Sequence, residues 1–263
     1  MKAAISTACL YPVYLENALE QIASRGVRHA EIFVNTDSEM KSPILDTLRS
    51  TVARTGIKIT SVHPYTCGIE PMMFFTDYPR RLDDIIDYYR RFFAFMNEFG
   101  AKVFVFHGNK PQNAIDEHTA FERYAMLADA GDKFGITVAQ ENVSRCTSGK
   151  LDYLMRMSEY LGSRAAFVLD TKQALRAGED PIAMLRSLGS KVVHVHFSDS
   201  ISGGKDCVMY KRGNYDNHTF FTMLKNMGFE GRIVLELYRD AYSDADELTA
   251  NYRLLSDSLR NSY

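Results

Sequence analysis

The sequence predicts an α/β fold, a single (β/α)8 barrel that spans residues 1–263. Short apolar runs alternate with amphipathic segments at a spacing of roughly thirty residues, which is typical of right-handed βαβ units in a parallel sheet. Eight such units in a chain of 263 residues indicate a sheet that closes into a barrel. No linker, low-complexity tract or charge block marks a second domain.

Eight runs rich in β-branched, aromatic or small apolar residues are the predicted strands. In chain order they are Ala3–Cys9, Arg28–Val34, Ile57–His63, Lys102–His107, Thr137–Glu141, Ala165–Asp170, Lys191–Phe197 and Arg232–Leu237. The seventh run contains His194 and His196, two positions apart. Because side chains two apart on a strand share a face, both histidines are expected to point into the barrel.

The predicted helices carry apolar residues three or four positions apart. They are Tyr14–Ser24, the segment from Ser42-Pro43 to Gly56, Asp77–Phe99, Ala120–Phe134, Leu151–Leu161, Ile182–Leu188, Asp216–Met227 and Ala245–Leu259. Ser42 is expected to cap the second helix, with Pro43 in its first turn. The loop Tyr65–Thr76 is rich in Pro, Met and aromatic residues. It either packs on the barrel as a flap or covers a small ligand as a lid, and we favour the lid.

Composition narrows the classes of function. The formal net charge is −2, so no global field would attract nucleic acid or an anionic membrane. No apolar run approaches the length of a membrane span, and residues 1–10 lack a secretory signal. Four scattered cysteines without CxxC spacing indicate reduced thiols. We therefore expect a cytoplasmic protein that acts on a small molecule and has no nucleic-acid or membrane partner.

Ionisable residues end most of the predicted strands. They are His63, His107, Glu141, Asp170, His196 and Glu236. Barrel enzymes carry their active sites at this C-terminal face. Since neighbouring strands lie about 4.8 Å apart, the last four side chains are expected to meet around one point. Three carboxylates and an imidazole would repel one another there unless a cation neutralised them. We therefore predict one divalent metal ion, with Mn²⁺, Zn²⁺, Co²⁺ and Mg²⁺ all compatible with the ligand types.

Several short motifs carry a resemblance to a known family. They are Glu141-Asn142, Leu169-Asp170-Thr171, the run from His194 to Asp199, Gly213-Asn214-Tyr215-Asp216, and Val234-Leu235-Glu236-Leu237. In this order the chain resembles the xylose isomerase-like TIM barrels, a group of sugar and sugar-phosphate isomerases and epimerases that also contains endonuclease IV. The resemblance covers essentially the whole chain and does not specify a substrate.

The resemblance implies a metal-dependent isomerase or epimerase of a sugar, a sugar phosphate or a related keto-polyol. Glu141, Asp170, His196 and Glu236 would be the metal ligands. Glu141 and Glu236 would also be the catalytic bases, which move a proton through a metal-stabilised enediolate. The resemblance also implies a homodimer or homotetramer. The alternatives are a keto-polyol dehydratase of the inosose type, an apurinic-site nuclease like endonuclease IV, and a binding protein that has lost the chemistry.

The chain also departs from the family pattern. Gln173 stands where many members have a histidine, and no Asp-x-His follows strand seven, so a three-zinc cluster looks incomplete. His63 and His107 match ligands of endonuclease IV but also match substrate contacts in isomerases. The predicted substrate-binding residues are His63, His107, Gln173, Arg145 and Arg212.

Several further residues have two interpretations. His194 is expected to be a buried, hydrogen-bonded imidazole, and Asp199 to orient His196 or cap a turn. Glu31 lines the pocket or anchors a neighbour. The remaining basic and amide side chains near the strand ends are either solvated or bind a phosphate or carboxylate of the substrate. They are Asn109, Lys110, Lys205 and Lys211.

Overall fold

Eight parallel strands close into a barrel in chain order, with β1 paired to both β2 and β8. The strands are β1 Lys2–Ser6, β2 His29–Val34, β3 Lys58–Pro64, β4 Val103–Phe106, β5 Thr137–Glu141, β6 Phe167–Asp170, β7 Val192–Phe197 and β8 Arg232–Leu235. The structure, a computed structural model, describes residues 1–113 and 115–261. Ala114, Ser262 and Tyr263 of the predicted domain lie outside the described residues. The predicted (β/α)8 barrel is confirmed.

Helices connect the strands and cover the outside of the barrel. They are α1 Leu15–Ser24, α2 Ile44–Thr55, α3 Glu70–Met73, α4 Pro79–Phe99, α5 Glu117–Asp132, α6 Leu151–Leu161, α7 Thr171–Arg176, α8 Pro181–Leu188, α9 Asn217–Asn226 and α10 Ala245–Asn261. The sequence did not predict the short helices α3 and α7. Among the described residues, no helix combines the length and the apolar character needed to cross a bilayer.

Several predicted element boundaries differ from those in the structure, and two of the differences have a clear local cause. The first strand ends at Ser6 and not at Cys9, because the chain enters a 3₁₀ turn over Thr7–Leu10 whose start is capped by the Ser6 hydroxyl. The second helix begins at Ile44, with Pro43 at the N-cap position and no capping bond from a side chain. Ser42 therefore does not cap this helix.

The apolar stripe of α4 packs aromatic side chains against the sheet. Tyr89 and Phe93 pack against Phe104 of β4, with ring centroids 5.2 and 5.3 Å apart. All three side chains are fully buried. Burial of each such side chain contributes about 1.5–3 kcal/mol, so this stripe fixes α4 on the barrel.

Small apolar side chains fill the barrel interior below its C-terminal face. Val105, Ala139, Ala166 and Val168 form a separate buried cluster there. Strand alternation turns every second side chain inward, so the inward position that follows Ala139 is Glu141, and the one that follows Val168 is Asp170. This pattern puts a polar layer directly above the apolar one.

Candidate metal centre

The strand ends bring the predicted ligands together in the polar layer. Glu141, Asp170, His196 and Glu236 each offer a ligand atom, and these four atoms lie within 4.8 Å of one another. All four residues are buried. The pairing of β6 with β7 aligns Asp170 directly with His196. The predicted convergence of the four residues is therefore present in the structure.

The imidazole of His196 faces the three carboxylates through Nδ1. Nδ1 lies 2.9 Å from Glu141 Oε1, 3.7 Å from Glu236 Oε2 and 3.9 Å from Asp170 Oδ2. Burial alone lowers the pKa of His196, but the nearby carboxylates, Glu31 and Glu236 foremost, outweigh burial and raise it well above its usual value. Burial raises the pKa of Glu141, but its hydrogen bond to His196 and the charge of that imidazole lower it to about 2.

Glu31 fixes the orientation of that imidazole from the other side. His196 Nε2 lies 3.2 Å from Glu31 Oε2, which also accepts hydrogen bonds from Ser61 Oγ at 2.8 Å and from His194 Nε2 at 3.1 Å. A histidine that binds a metal through one ring nitrogen usually donates its other N–H to a carboxylate. Glu31 is therefore the anchor that leaves Nδ1 for a metal, and His194 is the buried, hydrogen-bonded imidazole that the sequence predicts.

Asp170 uses its two carboxylate oxygens for different purposes. Oδ1 accepts the backbone N–H of Gln173 at 2.9 Å and so caps α7. Oδ2 faces His196. The Asn142 side chain ties the backbone of Asp170 to β5 by accepting its N–H at 2.6 Å and donating to its carbonyl at 3.0 Å. Burial and the neighbouring carboxylates raise the pKa of Asp170 to about 6, against the opposing charge of Lys172.

Lys172 is a site residue that sequence reasoning missed. Its Nζ lies 2.5 Å from Asp170 Oδ2 and donates a second hydrogen bond to Glu236 Oε2. Burial lowers the pKa of this ammonium, but Asp170 and Glu236 outweigh burial and raise it well above the usual range. In the sequence, Lys172 is recognisable only as a lysine two positions after a strand-end aspartate. Its direction toward the carboxylates depends on helix α7, which the sequence did not predict.

The donor set fits a divalent metal ion. Three carboxylates and one imidazole are ligands that Mn²⁺, Zn²⁺ and Co²⁺ accept. Positive charge from His196 and Lys172 already lies among the carboxylates, as expected for a cluster that needs a cation. Oriented oxygen and nitrogen donors and a negative environment therefore meet at one buried point.

A second group of polar side chains adjoins the first. His63, His107 and Glu141 offer ligand atoms within 4.8 Å of one another, and His63 Nε2 lies 2.8 Å from His107 Nε2. Burial lowers the pKa of His63, but the carboxylates of Glu236 and Glu31, 3.3 and 3.7 Å from Nδ1, raise it to about 10. His107 Nδ1 bonds Glu70 at 3.0 Å. Glu70 is a second residue that the sequence reasoning missed.

A cavity of about 480 Å³ opens onto these side chains. Its wall includes four of the predicted substrate-binding residues, together with Lys172. These four are His63, His107, Arg145 and Gln173. Gln173 is held by Ser144, whose backbone N–H and hydroxyl donate to its side-chain oxygen at 3.0 and 2.7 Å.

Arg212, the fifth predicted substrate-binding residue, is not among the residues that line this cavity. Its side chain is 69% exposed and lies 3.7 Å from Glu247. The loop after β7 turns away because Asp199 accepts the backbone N–H groups of Ser200 and Lys211 at 2.8 and 3.0 Å. Asp199 is thus a turn-forming residue.

The two halves of the segment Tyr65–Thr76 have different surroundings. Tyr65, Cys67 and Gly68 line the cavity, and Arg145 Nη2 lies 2.9 Å from Cys67 Sγ. Phe74 and Phe75 are buried, with Phe74 packed edge-on against Phe106 at 5.3 Å. The first half of the segment is therefore a wall of the cavity, and the second half is part of the core.

The closed parallel barrel and the cluster of ligand side chains at its C-terminal face place this chain among the TIM-barrel proteins that have a candidate metal centre. The chain belongs to the xylose isomerase-like TIM barrel family, whose sequence profile matches residues 19–261. A solved D-tagatose 3-epimerase-like protein superposes with a TM-score of 0.81 at 18% identity, over 99% of this chain and 97% of that one. The IOLI protein, solved with a bound zinc atom, superposes with a TM-score of 0.79 at 19% identity, over 100% and 99%. An inosose dehydratase of Clostridium beijerinckii is 24% identical over 182 residues, which cover 56% of this chain and 60% of the dehydratase.

Proposed function

We propose that this protein is a divalent-metal-dependent isomerase or epimerase of a sugar, a sugar phosphate or a related keto-polyol. The observation that carries the proposal is the buried quartet of Glu141, Asp170, His196 and Glu236, with Glu31 holding His196 so that Nδ1 faces the carboxylates. The similarity to a D-tagatose 3-epimerase-like protein and to the zinc-containing IOLI protein supports it.

Asp170 and His196 would serve mainly as ligands, since both are fixed by other contacts. The Asp170 backbone is tied to Asn142, and His196 is held by Glu31. A bound divalent ion would supply a Lewis acid that polarises a substrate carbonyl and so acidifies the neighbouring C–H.

Glu141 and Glu236 would move the proton. Glu141 ends β5 and Glu236 directly follows β8, on either side of the two strands that carry Asp170 and His196. Two carboxylates that reach the substrate from different sides can each serve one face of a planar enediolate. One removes the proton and the other returns it, which gives epimerisation or isomerisation.

The cavity wall suits a polyhydroxylated substrate. His63, His107 and Gln173 offer hydrogen-bond donors and acceptors for hydroxyl groups. Arg145 offers a cation for a phosphate or carboxylate, although its contact with Cys67 would have to be exchanged.

A dehydratase of the inosose type is the second candidate, favoured by the partial match to the Clostridium beijerinckii enzyme. Both reactions begin with removal of a proton beside a carbonyl. The dehydratase would then expel a neighbouring hydroxyl group, and His63 and His107 are the nearby groups that could protonate it.

The test is a screen of the metal-free protein reloaded with Mn²⁺, Zn²⁺, Co²⁺ or Mg²⁺ against ketoses, ketose phosphates and inososes. We expect NMR to detect metal-dependent incorporation of deuterium from D₂O beside the carbonyl. The exchange should disappear in Asp170→Ala and persist in Glu117→Gln, which alters an exposed ion pair with Arg156. Failure to bind any of the four ions would contradict the proposal, and cleavage of an oligonucleotide with an abasic site would favour the nuclease alternative.

A further inference from the structure

We infer that Lys172 is a built-in competitor of the metal ion: its ammonium group occupies the metal's place between Asp170 and Glu236, so the ion binds only by displacing it. The inference rests on the proposed function and assigns to Lys172 the control of metal binding at the quartet. It follows from which oxygen atoms Lys172 contacts.

Lys172 binds the oxygen atoms that face the other ligands. Its Nζ lies 2.5 Å from Asp170 Oδ2 and is hydrogen-bonded to Glu236 Oε2. The same two oxygens face His196 Nδ1, at 3.9 and 3.7 Å. A divalent ion would have to approach them to roughly 2.0–2.2 Å. A divalent ion and an ammonium group held by the same two oxygens repel each other strongly in a buried site, so occupancy by one disfavours the other.

The burial of Lys172 makes the competition strong. Its side chain is 4% exposed, and it is the one buried lysine among residues 1–113 and 115–261. A surface lysine would exchange its contacts with water at little cost, whereas a buried ammonium needs its carboxylate partners. Helix α7 begins directly after the end of β6, and this short turn directs Lys172 back over the strand ends.

Tyr238 offers the displaced ammonium a place at the edge of the cavity. Lys172 Nζ lies 5.7 Å from the centroid of the Tyr238 ring, and both residues line the cavity. An outward movement of the lysine can therefore keep a cation–π contact. The metal-loaded protein would then present this cation to the substrate side of the cavity.

The test compares the affinity of the metal-free protein for Mn²⁺ in wild type, Lys172→Met and Lys172→Arg by calorimetry. If the ammonium fills the site nine-tenths of the time, its removal should tighten the apparent Kd about tenfold, because the binding-competent fraction rises accordingly. Lys172→Arg keeps the cation and should show no such gain. Lys191→Met is the matched control, since this half-buried lysine bonds Ser158 through its ammonium group, away from the cluster. Asp170→Ala in the Lys172→Met background should abolish binding, which locates the ion.

The outcomes separate the two proposals. If wild type binds Mn²⁺ and Lys172→Met binds it no more tightly, the competition is refuted while the metal-dependent function stands. If neither protein binds an ion, both proposals fail.

A measurement on wild type covers the case in which Lys172→Met does not fold. Reductive methylation read by mass spectrometry should leave Lys172 protected without metal and labelled with saturating Mn²⁺. The exposed Lys133 should be labelled equally in both conditions. Protection of Lys172 that persists when the site is saturated would overturn the inference.

Discussion

Glu70 holds the segment between β3 and α4 against the end of β4. Its Oε2 accepts the backbone N–H groups of His107 and Gly108 at 3.1 and 2.8 Å. Its Oε1 bonds His107 Nδ1 at 3.0 Å and accepts the hydroxyls of Thr66 and Tyr89 at 2.8 and 2.9 Å. The carboxylate is fully buried. One side chain therefore orients His107 and ties the first half of the Tyr65–Thr76 segment to the barrel.

Replacement of Glu70 by glutamine keeps the shape but exchanges one acceptor oxygen for an NH₂ group. In one orientation the NH₂ group meets the two backbone N–H groups, and in the other it meets His107 Nδ1 and two hydroxyls that can rotate. Each buried donor left without an acceptor costs about 1–3 kcal/mol. In the less costly orientation the two hydroxyls rotate and only His107 Nδ1 is left without an acceptor, so we expect the free energy of unfolding to fall by about 1–3 kcal/mol, out of a typical total of about 5–15 kcal/mol.

Urea denaturation followed by circular dichroism measures this loss. Glu117→Gln is the control, because Glu117 bonds Arg156 at 2.7 and 2.8 Å at the surface, where both side chains are about half exposed. Such surface pairs contribute less than about 1 kcal/mol. If Glu70→Gln costs no more than the control, the buried hydrogen bonds of Glu70 are not what holds this segment against the barrel.

Three further results are expected. Glu141→Gln and Glu236→Gln should each lower turnover on the identified substrate by at least about 100-fold while changing Mn²⁺ affinity much less; near-normal turnover in both would make them ligands only. Glu31→Gln should weaken Mn²⁺ binding by about 10–100-fold, because it perturbs the contact that orients His196; an unchanged Kd in calorimetry would contradict that role. Burial and neighbouring cationic side chains lower the pKa of His29 to about 4, below the ordinary 6.5 of an unfolded chain. The unfolded state therefore binds more protons between these values, and stability present above pH 6.5 is lost as the pH falls toward 4. His29→Gln should lose less stability than wild type between pH 7 and pH 5 in urea titrations, and an identical loss would exclude His29 as a source.

The sequence alone determines the barrel and the quartet at its centre. Strand patterns repeat eight times, and each strand alternates inward and outward side chains, so the last inward residue of a strand can be read directly. Glu141, Asp170, His196 and Glu236 were found in this way because backbone geometry fixes where they point. The alternation along a strand decides which face each of these side chains leaves, and four neighbouring strand ends then bring their polar groups together.

Tertiary structure decides what long side chains and loops contact. Lys172 reaches the quartet only because a short helix follows β6 immediately, and Glu70 meets His107 across 37 residues of chain. Arg212 is turned outward by a loop that Asp199 holds. A flexible side chain has many rotamers, and its choice among them depends on partners brought by other segments. Local sequence patterns show the periodicity of a strand but not those distant partners. The position of Lys172 among the carboxylates therefore becomes visible only in the closed barrel.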